Sequence, residues 1–241
     1  MIRIVEADHA PGGFPVLRQF SLSLEPGSIT ALVGPSGCGK SSLLRIMAGL
    51  RKLDGGRVEG VPRAKAFVFQ DAALLPWRTA RENVALLEKF MPIGSPEEAL
   101  ARVGLADHAH KLPSQLSGGQ RMRVSLARVL VARPELVLLD EAFGALDGLT
   151  RRSVQRVFTK LAEQNRWTVV MVTHEPEDAM LLADRVLVVE GPALRVRADR
   201  PVLHQRPRNI PDPEVLDLED GPAKAAEEGT DPRDGAVATL A

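Results

Sequence analysis

The sequence predicts an α/β protein. It reads as a mostly parallel sheet with helices on both faces, an antiparallel β part at the N-terminus and an inserted α-helical segment. Three observations carry this. The aliphatic runs "SITALVG" (28–34), "AFVFQ" (66–70), "ELVLLD" (135–140), "TVVMVT" (168–173) and "RVLVVEG" (185–191) do not alternate with polar residues, as expected of strands covered on both faces. Helical patterns lie between several of them, with Val154, Val157, Phe158 and Leu161 spaced i, i+3, i+4 and i+7. Residues 71–134 break the strand–helix alternation with a long stretch that holds no convincing strand.

In chain order, the segment to about residue 27 alternates like antiparallel strands, and "VLRQFSLSLEPG" closes on a turn at Pro26-Gly27. A helix follows Lys40. The insertion offers "RTARENVALLEKF", "SPEEALARVGLADH" and a helix that carries Met122, Leu126, Val129 and Leu130 on one face until Arg133-Pro134 ends it. A further helix begins near Glu175. Beyond Pro207 the composition changes, and 222–241 is rich in Ala, Gly, Pro and acidic residues with little to bury. The expected organisation is one domain over 1–220, with a helical subdomain at about 71–134, and a flexible tail at 221–241.

Composition narrows the function. Thirty-one basic residues balance 31 acidic ones, so no excess charge calls for a polyanion or an anionic membrane. Seven Phe, two Trp and no Tyr argue against a nucleic-acid platform of stacking rings, and no nucleic-acid partner is expected. The lone Cys38 excludes an internal disulfide. "MIRIVEADHA" lacks the pattern of a secretory signal, and no apolar run approaches the roughly 18 residues that span a bilayer. The expectation is a soluble, cytosolic chain that meets a membrane only through another protein.

"GPSGCGKS" (34–41) satisfies G-x-x-x-x-G-K-[ST] between a buried strand and a helix, the setting in which that spacing has physical meaning. Its glycines let backbone N–H groups wrap phosphate oxygens, and the helix start adds partial positive charge. Lys40 can reach the outer phosphates and the Ser41 hydroxyl can ligate Mg²⁺. Asp140 then stands at the C-terminal end of an apolar strand, where ligands bind in open α/β sheets. Its neighbour Glu141 is placed to polarise a water.

The glycine pair in "LSGGQRMRVSLARVL" (116–130) weakens the start of an otherwise well-specified helix, each Gly costing about 1 kcal/mol against Ala. Ser117 suits an N-cap. Two bare residues also let a phosphate approach the free amides there, which makes a second anion site.

"LSGGQ" resembles the signature motif of the nucleotide-binding subunits of ATP-binding cassette transporters, and the order of the other motifs is similar over about residues 1–215. The core is then expected to be that of the P-loop nucleoside triphosphatases. The resemblance implies ATP and Mg²⁺ as cofactors. ATP would be held by Gly34, Pro35, Ser36, Gly37, Cys38, Gly39, Lys40, Ser41 and Ser42. Ser117, Gly118, Gly119 and Gln120 would close over the γ-phosphate bound by the other subunit of a homodimer. Mg²⁺ would lie on Ser41, Gln70 and Asp140. Glu141 would be the general base, His174 the γ-phosphate sensor, and Gln70 and Lys40 would take part in catalysis.

The family commonly stacks adenine on an aromatic residue ahead of the phosphate loop. With no Tyr in this chain, Phe14 is the candidate and His9 the runner-up. Alkylation of Cys38 is expected to block ATP binding. "FQDAALLPWRTARENVAL" (69–86) and "RPRNIPDPEVLDL" (206–218) resemble importers of the nitrate, sulfonate and taurine type. The implied role is hydrolysis that drives uptake of a small anion such as an aliphatic sulfonate. Nitrate, taurine or a vitamin precursor are alternatives, and a soluble non-transport cassette ATPase is the more distant one. Integral membrane permease subunits would be partners, docking near Leu74, Leu75, Pro76 and Trp77, and a periplasmic or extracellular solute-binding protein would be an indirect one. The implied location is peripheral, on the cytoplasmic face of the inner membrane.

Overall fold

The computed structural model describes residues 1–86 and 94–203. The expected tail at 221–241, the boundary at 220 and the Pro/Arg-rich run at 206–218 lie outside the described residues. A three-stranded antiparallel sheet in the order β2-β1-β4 joins β1 (Ile2–His9), β2 (Leu17–Leu24) and β4 (Gly55–Glu59). The second sheet runs β5-β6-β7-β3-β8-β9, from β5 (Lys65–Val68), β6 (Leu136–Asp140), β7 (Thr168–Thr173), β3 (Ile29–Val33) and β8 (Arg185–Glu190) to β9 (Arg195–Pro201). All its pairings are parallel except β8 with β9.

Every residue of β3 and β6 is buried, because each face has its own cover. On one face Leu32, Leu138, Val170 and Leu187 meet Leu43, Leu44 and Met47 of α1 (Lys40–Met47), with Ile2, Ile4 and Leu22 of the small sheet beyond. On the other face Val137, Leu139, Val169 and Met171 pack with Val154, Phe158 and Leu161 of α5 (Gly148–Asn165) and Ala179 of α6 (Pro176–Leu182). This two-sided burial is the reason the strands do not alternate in sequence.

Between β5 and β6 the described residues hold no strand. They form α2 (Ala80–Val84), α3 (Pro96–Arg102), α4 (Gly118–Val131) and short 3₁₀ turns, so the expected α-helical insertion is present. The run at 66–70 ends early, since β5 stops at Val68 and leaves Phe69 and Gln70 beyond it. Two strands have no counterpart in the sequence reading. β4 is short, half-exposed and glycine-rich, with Gly56 at φ 74°. β9 is an exposed edge strand bearing Arg195, Arg197 and Arg200, and charge on an edge both protects it from pairing and hides it from hydrophobic pattern. No helix of the described residues is long and apolar enough to cross a membrane.

Candidate nucleotide site

β3 delivers the chain into residues 34–39 at its C-terminal end. Gly37 and Gly39 take left-handed φ of 82° and 110°, a conformation in which a side chain would be strained. A Cβ on Gly34 would lie 2.1 Å from the Val189 carbonyl oxygen, so this glycine answers to β8 rather than to a ligand. α1 starts on Gly39 with no side-chain cap, and its first amides stay free for an anion. The Lys40 ammonium is buried and donates to the carbonyls of Gly34 (2.6 Å) and Pro35 (2.7 Å). Pro35, Ser36 and Gly37 are exposed, and Ser41 and Ser42 are half-buried.

Cys38, expected within the cradle, has its thiol turned to the core. Its side chain is 3% exposed and packs in the core beside Leu43 and Leu44. Only its backbone can face a phosphate, and the buried thiol is poorly placed for alkylation.

β6 places Asp140 beside Val172 of β7, and the Ser41 hydroxyl donates to the Asp140 carboxylate at 2.6 Å. Arg45 of α1 approaches the other carboxylate oxygen at 3.9 Å. Glu141 follows at φ 49°, with its amide donating to the Val172 carbonyl at 3.0 Å. A left-handed non-glycine residue costs about 1–2 kcal/mol, and such strain clusters where a side chain must be aimed. Here it brings the Glu141 carboxylate to 3.4 Å from Nδ1 of His174, which follows β7. A Cβ on Gly144 would stand 3.6 Å from His174 Cε1 and 4.0 Å from Gln70 Nε2, so Gln70 and His174 flank the same loop. Lys40, Ser41, Asp140, Glu141 and His174 thus collect at the C-terminal ends of neighbouring strands.

The donor set fits Mg²⁺, a hard cation that takes few protein ligands. The Ser41 hydroxyl and the Asp140 carboxylate converge, and the Gln70 amide lies beyond the end of β5. The described residues hold no cluster of three or more His, Cys, Asp or Glu that could hold a metal ion.

Residues 117–120 lie at the start of α4. The Gln120 amide donates to Ser117 Oγ at 3.2 Å, and the Ser117 amide donates to Gln120 Oε1 at 2.9 Å. This capping box was legible as S-x-x-Q. It occupies the Gln120 side chain locally, so Gln120 serves the helix before any ligand. The glycines divide. Gly119 is buried, and a Cβ there would sit 2.2 Å from Thr150 Cγ2 of α5. Gly118 is half-exposed, and its Cβ would meet Leu146 at an ordinary 3.5 Å. Neither has a positive φ, so packing and access explain the pair.

Phe14 is 79% exposed, after a turn where Gly12 and Gly13 have φ of 63° and 84°. It is not a core residue. His9 is 8% exposed, packed 3.6 Å from Asp54, which leaves it no open ring face for a base. Trp77 is 71% exposed.

Sequence reasoning missed the groups that hold these parts in place. The buried Asn83 amide donates to the carbonyls of Leu75, Arg78 and Thr79, and its oxygen accepts from Leu75 N and from Arg128 of α4. Burial holds the Arg128 guanidinium below its usual basicity. Arg151 of α5 donates to the carbonyls of Gly144 and Leu146 and pairs with Glu175. Neither arrangement has a motif. Their signal is three-dimensional.

The fold and this site define a class: a P-loop ATPase cassette whose strand-end acid pair faces a histidine and whose helical insertion carries a second glycine-bearing helix start. A family profile described as ABC transporter matches residues 17–144. The aliphatic sulfonates import ATP-binding protein SsuB 1 of Paraburkholderia xenovorans is 47% identical over 198 residues, covering 80% of this chain and 58% of that protein. SsuB 2 of Agrobacterium fabrum is 44% identical over 204 residues, covering 82% of this chain and 79% of that protein. Among solved structures, the dimeric post-hydrolysis state of the ATP-binding cassette MJ0796 bound to ADP and Pi has a TM-score of 0.70. It is 28% identical and covers 85% of this chain and all of that one. The chain belongs to the ABC transporter family and is an ATP-binding, ATP-hydrolysing cassette.

Proposed function

We propose that this chain is the ATP-hydrolysing subunit of an importer for aliphatic sulfonates, working as a nucleotide-sandwich homodimer. The convergence of Ser41, Asp140, Glu141 and His174 around one strand-end cleft carries the catalytic half of this reading. The substrate half rests on relatives named for aliphatic sulfonate import at 40–47% identity. Nitrate, taurine or a vitamin precursor is the alternative cargo.

In the mechanism, the amides of residues 36–42 and Lys40 bind the triphosphate, and Phe14 offers its exposed ring to adenine. Ser41, Asp140 and Gln70 would hold Mg²⁺, which neutralises charge on the β- and γ-phosphates. Glu141 orients a water and takes its proton as the water oxygen attacks the γ-phosphorus, releasing ADP and phosphate. His174 donates a hydrogen bond to the γ-phosphate, where negative charge develops. Ser117, Gly118 and Gly119 of one subunit close over the γ-phosphate held by the other, so ATP joins the dimer and hydrolysis frees it. The exposed Trp77 turn docks the integral membrane permease, which places the chain peripherally on the cytoplasmic face of the inner membrane. A solute-binding protein is an indirect partner.

Glu141→Gln tests the mechanism. It should lower turnover by about 10²–10⁴, the usual worth of a general base, and should trap an ATP-bound dimer in size-exclusion chromatography. A variant that stays monomeric in saturating ATP overturns the sandwich. For cargo, vesicles holding the chain with its co-purified permease and binding protein should accumulate labelled ethanesulfonate. Uptake of nitrate with exclusion of ethanesulfonate overturns the substrate.

A further inference from the structure

Arg151 lies on the second turn of α5, its side chain 22% exposed. One arm of its guanidinium, Nη2, donates to the backbone carbonyls of Gly144 and Leu146 at 3.3 Å each. The other, Nη1, stands 3.6 Å from Glu175 Oε1. That same oxygen is 3.6 Å from Nε2 of His174, and Nδ1 of His174 is 3.4 Å from Glu141. The chain of contacts is therefore loop 144–146, Arg151, Glu175, His174, Glu141. The imidazole stands between two carboxylates, one of which is also claimed by a cation.

A flat guanidinium presents its donors in a fixed fork. If the 144–146 loop shifts, the fork turns with the carbonyls it holds, and the grip on Glu175 changes with it. The loop is also next to the signature helix, since a Cβ on Gly118 would meet Leu146 at 3.5 Å. With Thr150 of α5, against which Gly119 packs, it is one of the places where this chain meets the α4 start.

We propose that Arg151 is a positioning residue for hydrolysis: it ties the 144–146 loop to Glu175, and through Glu175 it sets where His174 stands relative to Glu141. Placement of the loop, and with it of the α4 start, is thereby transmitted to the Glu141–His174 pair. Nucleotide binding at residues 34–42 does not pass through this chain of contacts. This rests on the assignment of Glu141 and His174 to hydrolysis.

The test is steady-state ATPase activity and fluorescent-ATP binding of the full chain with Arg151→Ala, Glu175→Gln and both. Arg151→Ala should lower kcat by about tenfold or more, as small misplacements of reacting groups do, with ATP affinity within twofold of the parent. Glu175→Gln leaves the carbonyl contacts of Arg151 in place. It should reproduce the loss of kcat with an unchanged melting temperature, and so separates positioning from folding. The double variant should be no slower than Arg151→Ala alone, because the two residues act in series. Full kcat per folded molecule in Glu175→Gln, or additive losses in the double variant, overturns the proposal. Glu141→Gln run alongside keeps the two ideas apart. If it retains turnover, the assignment of the base fails. If it is inactive while Arg151→Ala is fully active, only the Arg151 proposal fails.

Discussion

Two helices of this protein carry a glycine at their start, Gly39 as the N-cap of α1 and Gly118 as the first residue of α4, and they are finished in opposite ways. α1 starts without any side-chain cap, on Gly39 at φ 110°. The rest of its site comes from the same chain, with Lys40 on the loop carbonyls and Ser41 on Asp140. α4 starts under a complete capping box, yet its half-exposed Gly118 is followed by no lysine and no acid pair. Among the described residues, no hydrogen bond or ion pair links 117–120 to 34–42. The cradle has its cation and its acid in the same chain. The α4 start, in the proposed dimer, closes over the cradle of the other subunit.

The cap explains how the α4 start persists. An uncapped helix start frays, and the cradle avoids this because its loop is pinned by β8, Lys40 and Val16, whose Cγ1 would lie 2.8 Å from a Cβ on Gly39. The tip of α4 packs on Leu146 and Thr150, and its cap comes from its own side chains. Ser117 and Gln120 satisfy two of its amides and leave those nearer Gly118 available.

Breaking each start separately should have unequal consequences. Lys40→Ala removes the buried cation from the cradle and should abolish measurable ATP binding by the isolated chain. Gly118→Val adds methyls at the exposed tip, beside Leu146. It should leave ATP affinity of the monomer within twofold while lowering turnover by about tenfold or more, because in the proposed sandwich only the closed dimer uses that end. Equilibrium binding of a fluorescent ATP and steady-state turnover read the two effects. Weakened ATP binding by monomeric Gly118→Val would break the comparison, since the two starts would then belong to one site.

What the sequence made legible divides along the same line. The cradle, the acid pair and His174 sit at strand ends, and strand ends follow from hydrophobic runs that two covered faces make continuous. β9 and β4 escaped because one is a charged edge and the other is glycine-rich and half-exposed. Cys38 was placed by its position within a motif, and a motif position says where the backbone runs and nothing of which way a side chain turns. Arg151, Glu175, Asn83 and Arg128 were missed because Arg151 meets Glu175, and Arg128 meets Asn83, across long separations in sequence, while the nearer carbonyls that Arg151 and Asn83 hold lie in turns that no motif announces.

Gly119 sharpens the pair in the folded state. Its missing Cβ is owed to Thr150, not to a ligand, so Gly119→Ala should cost about 1–3 kcal/mol by overpacking. At about 2–4 °C per kcal/mol for a domain of this size, calorimetry will resolve it. Thr150→Ser deletes the methyl that would clash and should return most of the loss in the double variant. If Gly119→Ala is fully stable and only turnover suffers, both glycines answer to the anion and the division drawn between them is wrong.

The smallest effect on stability is the most discriminating. Ser117 holds two jobs at once: Oγ accepts from the Gln120 amide, while its proton remains free to donate outward. Ser117→Ala removes both and should cost about 1 kcal/mol of stability along with turnover. Ser117→Asp keeps a strong N-cap, so its melting temperature should stay within about 2 °C of the parent. It also sets a negative charge where the proposed sandwich brings the partner's γ-phosphate, and should lose turnover as completely as Gly118→Val while the monomer still binds ATP. A Ser117→Asp variant that hydrolyses ATP at the parent rate would reduce the α4 start to a capped helix and leave the cradle as the only anion site.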